Sequence, residues 1–97
     1  MTDASFTTLY QGIEKQWFPG GKLTALKDAF SNSSNYFSTS QARQLIVLVS
    51  DENNRLELAK ASYRTITDPS NFNQVYSVLN NQANKDQLAE YVRTYKY

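Results

Sequence analysis

The chain has 97 residues, ten Lys or Arg against nine Asp or Glu, and neither Cys nor His. Lacking Cys, it has no disulfide framework or thiolate metal site. Lacking His, it has none of the usual zinc, copper or non-haem iron ligand sets and no Ser-His-Asp or Cys-His catalysis. A net charge of +1 argues against a strong overall grip on nucleic acid, where each phosphate contact needs a local Lys or Arg, and leaves only a basic patch on one face open.

The first predicted helix carries Phe6, Leu9, Tyr10, Ile13 and Trp17, the i, i+3, i+4, i+7, i+11 series of one helical stripe. Thr2 or Asp3 would cap it. Phe18-Pro19-Gly20-Gly21 should break it, since Pro cannot continue a helix and Gly can supply the positive φ of a turn. A second helix places Leu23, Leu26 and Phe30 on one face, and residues 31–35 form a polar loop.

Residues 37–49 read as the central helix. The five unbroken apolar residues 45–49 could make a buried strand, and Ile46, Val47 and Val49 are β-branched, so periodicity does not decide. What precedes them does. Ser38-Thr39-Ser40-Gln41 fits a capping box, so a helix starts at about Thr39 and runs through the apolar stretch to Val49. A helix apolar on more than one face is packed from several sides. Five such side chains contribute about 8 to 15 kcal/mol gross, comparable to the net stability of a domain. A charge at Val47 is therefore expected to unfold the protein.

Asp51 is the natural cap of a fourth helix through about Ile66, with Leu56, Ala59, Tyr63 and Ile66 on one face. Asp68-Pro69 reads as a capping acid followed by Pro at the first helical position. Helix five then carries Phe72, Val75, Tyr76 and Leu79, and residues 80–84 form a second polar loop. A sixth helix bears Leu88, Tyr91, Val92 and Tyr95, with Asn84 and Gln87 as a weak capping box.

The expected fold is all-α: about six helices in a compact bundle or short stack around a buried central helix, residues 39–49. The length suits one domain, and two Pro and three Gly leave little room for many tight β-turns. Leu-led helices recur at Leu23, Leu56 and Leu88, 33 and 32 residues apart by subtraction, a spacing of the order seen in helix-pair repeats. A repeat stack and an irregular bundle both stay open. No apolar stretch approaches a membrane span and no leader precedes the first helix, so residues 1–97 read as one soluble module.

Phe18 with Lys22-Leu23, Phe37 before Ser38 and Gln41, Arg55-Leu56 with Ala59-Lys60 and Tyr63, Asp68 with Asn71-Phe72, and Leu88 together resemble the domain-of-unknown-function family numbered forty-four seventy-six. The resemblance spans about Tyr10 to Tyr95 and rests on the order and spacing of these elements. It implies a helical domain, often the C-terminal module of bacterial proteins that begin with a signal sequence. By that analogy the parent protein is periplasmic, envelope-bound or secreted. The family carries no catalytic residues to transfer.

Each sharper functional reading competes with a structural one. Asp51-Glu52-Asn53-Asn54 opens like a calcium loop, but Leu56 and Ser62 stand where that loop needs Gly and Glu; capping by Asp51 explains it better. Tyr63, Asp68 and Asn71 gather at one helix junction and are candidate binding residues, although a buried Tyr63 ring and a capping Asp68 are the favoured account. Asp86 and Glu90 stand four apart on one helix, without the cleft and burial that acid–base carboxylates need. Glu90 is placed instead to pair with Arg93. Arg43, Lys60, Arg64 and Arg93 could form a basic face, but Glu57 neutralises part of it. Trp17 and Tyr97 are the aromatics best placed to mark a contact surface, with core packing favoured for Trp17 and exposure for Tyr97.

The sequence therefore points to a non-catalytic helical module that needs no cofactor and contacts a protein partner or a neighbouring domain of its own chain, without nucleic acid or membrane insertion. The competing reading is a glycan-binding module using exposed aromatic faces.

Overall fold

Thr2 opens the first helix by accepting the Ser5 amide on its hydroxyl at 3.2 Å. In the computed structural model, which describes residues 1–96 (Pro19 through its backbone only), the α-helices are α1 (Asp3–Glu14), α2 (Pro19–Ser31), α3 (Thr39–Ile46), α4 (Glu52–Ser62) and α5 (Gln82–Arg93). Two 3-10 helices, Tyr63–Thr65 and Pro69–Val78, join α4 to α5. Among the described residues the sheet-like pairing is confined to a single parallel bridge between Phe37 and Ile66. The all-α architecture stands.

Helices led by Leu23, Leu56 and Leu88 pack side by side, α2 on α4 and α4 on α5. The intervening α3 and long 3-10 helix pack on each other and on α4, while α1 lies against α2. α2 and α3, which a helix-pair repeat would pack on each other, are not among these packed pairs, so the arrangement is a small all-α bundle. Its core joins Leu26, Phe30, Phe37, Leu45, Ile46, Leu58, Val75 and Leu88, all fully buried. On α4, Leu56, Leu58, Ala59 and Ser62 are buried together, so α4 shares the centre of the molecule with α3.

The capping box at α3 forms as expected. The Gln41 amide donates to Ser38 Oγ at 3.2 Å, and the Ser38 amide donates to Gln41 Oε1 at 3.0 Å. The other end differs from expectation: α3 stops at Ile46, with Val47 as its cap and residues 48 and 49 in tighter i→i−3 turns. Arg55 holds the stop. Its guanidinium donates to the carbonyls of Val49 at 2.7 Å and Val47 at 3.4 Å, acceptors that a continuing helix would have used itself, and also to the carbonyl of Val78 at the end of the long 3-10 helix at 3.3 Å. The turn brings Val49 into the core and swings Val47 outward to 39% exposure. Val47 is thus not core, and a charge there is not expected to unfold the protein.

Four further expectations are revised. α1 ends at Glu14 and leaves Trp17 outside it, and Phe18 before Pro19 is held extended (φ −90°, ψ 135°). Pro19 does not stop a helix there; it starts α2, with Gly20 and Gly21 inside, and no described glycine has positive φ. Asn81 caps α5, accepting the Ala83 amide at 2.8 Å, so Asn84 lies within the helix. The fifth helix is 3-10. In a 3-10 helix residues i and i+3 eclipse, and Phe72, Val75 and Val78, three apart, are its buried residues.

Candidate functional site

The cap and turn chemistry leaves one face incompletely covered. The α1–α2 linker, held extended before Pro19, projects Trp17 at 94% exposure with Phe18 beside it at 77%. Opposite stands the α3–α4 connection, whose outward Val47 and half-buried Leu48 are fixed by Arg55. Lys22 from α2 and Asp51 and Asn54 from the start of α4 complete a cleft of about 360 Å³. Asp51 is held there by its capping role, accepting the Asn54 amide at 3.0 Å. The cleft thus combines the apolar side chains of Trp17, Val47 and Leu48 with one cation, Lys22, one anion, Asp51, and the polar Ser50 and Asn54.

Core packing for Trp17 is overturned by its exposure. Part of the signal was in the sequence: the residue preceding Pro is driven out of helical geometry, which keeps Phe18 from continuing α1, but Trp17 lies beyond that restriction and leaves the stripe because α1 ends at Glu14. Val47, Leu48, Lys22 and Asn54 were not legible as site residues, because the turn that presents Val47 and Leu48 depends on side-chain hydrogen bonds from Arg55, in the next helix, that helical periodicity does not report.

The second predicted group sits elsewhere. Asp68 does not cap its own 3-10 helix through its side chain. Its carboxylate crosses to α3, accepting the Thr39 amide at 2.7 Å and the Thr39 hydroxyl at 3.0 Å, and it also accepts from Asn71 Nδ2 at 3.1 Å. Thr39 N–H is an orphan donor of the α3 first turn, so Asp68 caps a helix 29 residues away in sequence. Partial burial works to raise the Asp68 pKa, but the hydrogen bonds from Asn71 and Thr39 outweigh it and hold the carboxyl below its ordinary range. Tyr63 stacks edge-on between Phe72, at 4.8 Å, and Tyr95, at 5.1 Å. Asp68 and Asn71 are therefore brought together in a structural role, and Tyr63 is a packing aromatic. Tyr97 lies outside the described residues.

Of the four cations that could form a basic face, two are paired with acids and two donate to neutral groups. Glu90 pairs with Arg93 at 2.5 Å and Glu57 with Lys60 at 3.8 Å, Arg64 donates to the Phe30 carbonyl, and Arg43 donates to Ser77 Oγ at 2.8 Å. Among the described residues no three Asp or Glu are grouped to hold a metal ion, and no helix is long and apolar enough to cross a membrane.

Glu52 ties α4 to α5. Its carboxylate accepts the Asn80 amide at 2.7 Å, the Asn81 amide at 3.0 Å and Asn84 Nδ2 at 2.6 Å. The Asn80 amide, then the Asn84 side chain, lower its pKa below the ordinary glutamate range. With the folded pKa below the unfolded one, the stabilisation is full above the unfolded value and is lost as pH falls through the folded value. Lowering pH through the carboxylate range should therefore release α5 amides to hydrogen exchange before those of α3. Glu52→Gln should show that faster α5 exchange already at neutral pH; unchanged protection in that variant would remove Glu52 from this role.

A family model described as "Domain of unknown function (DUF4476)" matches residues 1–92. No curated protein and no solved structure matches the chain.

Proposed function

The chain belongs to the DUF4476 family, and from that premise we propose that it is a non-catalytic helical module whose Trp17 cleft docks another protein or a neighbouring domain of its own chain. The observation carrying this reading is Trp17 itself, the sole tryptophan, standing 94% exposed beside Phe18 and the outward Val47. Large aromatics dominate binding energy where an interface closes over them, and an apolar surface framed by polar residues marks interaction sites.

A photo-activated benzophenone side chain introduced at position 47, in cells that natively make the protein, should give a discrete protein adduct. Trp17→Ala should weaken that association by about tenfold or more, the loss expected for a central aromatic anchor. No adduct, or an adduct indifferent to Trp17→Ala, would overturn the docking reading. Asp51 and Asn54 beside an indole face also suit sugar hydroxyls. Amide shifts at residues 17, 51 and 54 on titration with oligosaccharides, with no protein adduct, would replace protein docking by glycan binding.

A further inference from the structure

The cleft carries both halves of a self-complementary contact. A projecting pair, Trp17 and Phe18, stands on the rim, and the hollow beside it is walled by Val47 and Leu48. Its two charges have opposite sign: Lys22 and Asp51 line the same hollow, and neither belongs to an ion pair among the described residues. In a twofold interface the same patch meets itself, so that each residue i faces a partner j and j faces i. One cation and one anion in one patch satisfy that condition twice over, and a net charge of +1 adds little repulsion between copies.

Resting on the docking reading above, we propose that the occupant of the cleft is a second copy of this chain, related by a twofold axis. Trp17 of each copy enters the hollow of the other, and Lys22 meets the partner's Asp51. The patch is small beside the roughly 800 Å² per partner of a standard stable interface. Each copy has its own closed core. The association is accordingly reversible and concentration-dependent.

Sedimentation velocity on the whole chain, from about 10 μM to about 1 mM, should show a mass moving from 11.1 kDa toward twice that value. Trp17 emission should shift to the blue over the same range, since the only indole leaves water. Trp17→Ala should remain monomeric. Lys22→Asp and Asp51→Lys should each weaken self-association about tenfold or more by placing like charges together. Mixing the two variants in equal amounts should restore it, because both cross-pairs are again opposite in sign. Asp51→Lys also removes a helix cap, so its melting is checked first; should it fail to fold, Lys22→Asp and Trp17→Ala still decide the question.

A chain that stays at 11.1 kDa throughout overturns the proposal, and so does self-association that survives Trp17→Ala and Lys22→Asp unchanged. A monomer that still gives the position-47 adduct with a different protein sinks the second-copy inference alone. A monomer with no adduct sinks the docking reading as well.

Discussion

Ile46→Asp is expected to leave the chain without a cooperative thermal transition, whereas Val47→Asp, one residue later, should melt within several degrees of the parent. Ile46 is fully buried and Val47 is 39% exposed. At position 46 the substitution removes about 1.5 to 3 kcal/mol of apolar burial. The new carboxyl must also be protonated in the core, and protonating it at pH 7, about three units above the ordinary aspartate value, costs roughly 4 kcal/mol more. Together these approach the whole net stability of a small domain, about 5 to 15 kcal/mol. At position 47 the carboxylate stays wet. It meets only the negative end of α3, an unfavourable contact of about 0.3 to 1 kcal/mol. Circular dichroism melts of the two variants make the comparison, and a Val47→Asp protein as unfolded as Ile46→Asp would show that residues 45–49 are all core after all. Folded Val47→Asp has a further use, since it should lose docking while keeping its structure.

Phe37→Ala is the second substitution with a large expected effect. The Phe37 ring is fully buried and meets Phe30 edge-on at 5.5 Å. Its backbone meanwhile donates to Thr65 O and accepts from the Thr67 amide, both at 2.9 Å. Alanine keeps those backbone bonds and removes only the ring, so the loss is one of packing: about 3 to 5 kcal/mol for Phe to Ala in a core. For a domain of this size that lowers the melting temperature by about 12 °C or more. Tyr36→Ala is the neighbouring control. Its side chain is 57% exposed, and a surface truncation of that type should stay within about 0.5 kcal/mol. Urea titrations with unchanged slope would give both values; a Phe37→Ala loss under about 1 kcal/mol would mean that the ring is not the centre of this packing.

Helix existence was legible wherever local chemistry decides it. Ser38 and Gln41 announce α3, Asp51 announces α4, and the stripe of Phe6 and Ile13 makes α1 amphipathic. What the sequence concealed was set by side-chain hydrogen bonds between elements. Arg55 in α4 holds the turn that ends α3 and leaves Val47 outward, and Asp68 serves a helix other than the one it precedes. The cleft follows from the same cause. Pro19 alone keeps Phe18 out of α1, while the wall facing Trp17 is held by a guanidinium from α4 on the 47–49 turn. The type of the fifth helix was half visible: Phe72, Val75 and Val78 keep a strict spacing of three, which the alternative stripe through Tyr76 and Leu79 obscured.

That spacing makes the segment Pro69–Val78 a ruler. At about 2.0 Å of advance per residue its ten residues reach about 20 Å, where an α-helix of equal length reaches only about 15 Å. Rewinding it as α would draw its ends together by about 5 Å. It would also carry Val78 roughly 120° around the axis from Phe72, at 100° per residue instead of 120°. Substitutions that ordinarily strengthen helices, such as Ser or Asn to Ala along its outer side, would here favour the wrong pitch, shortening the span between the α3 start and the α5 cap.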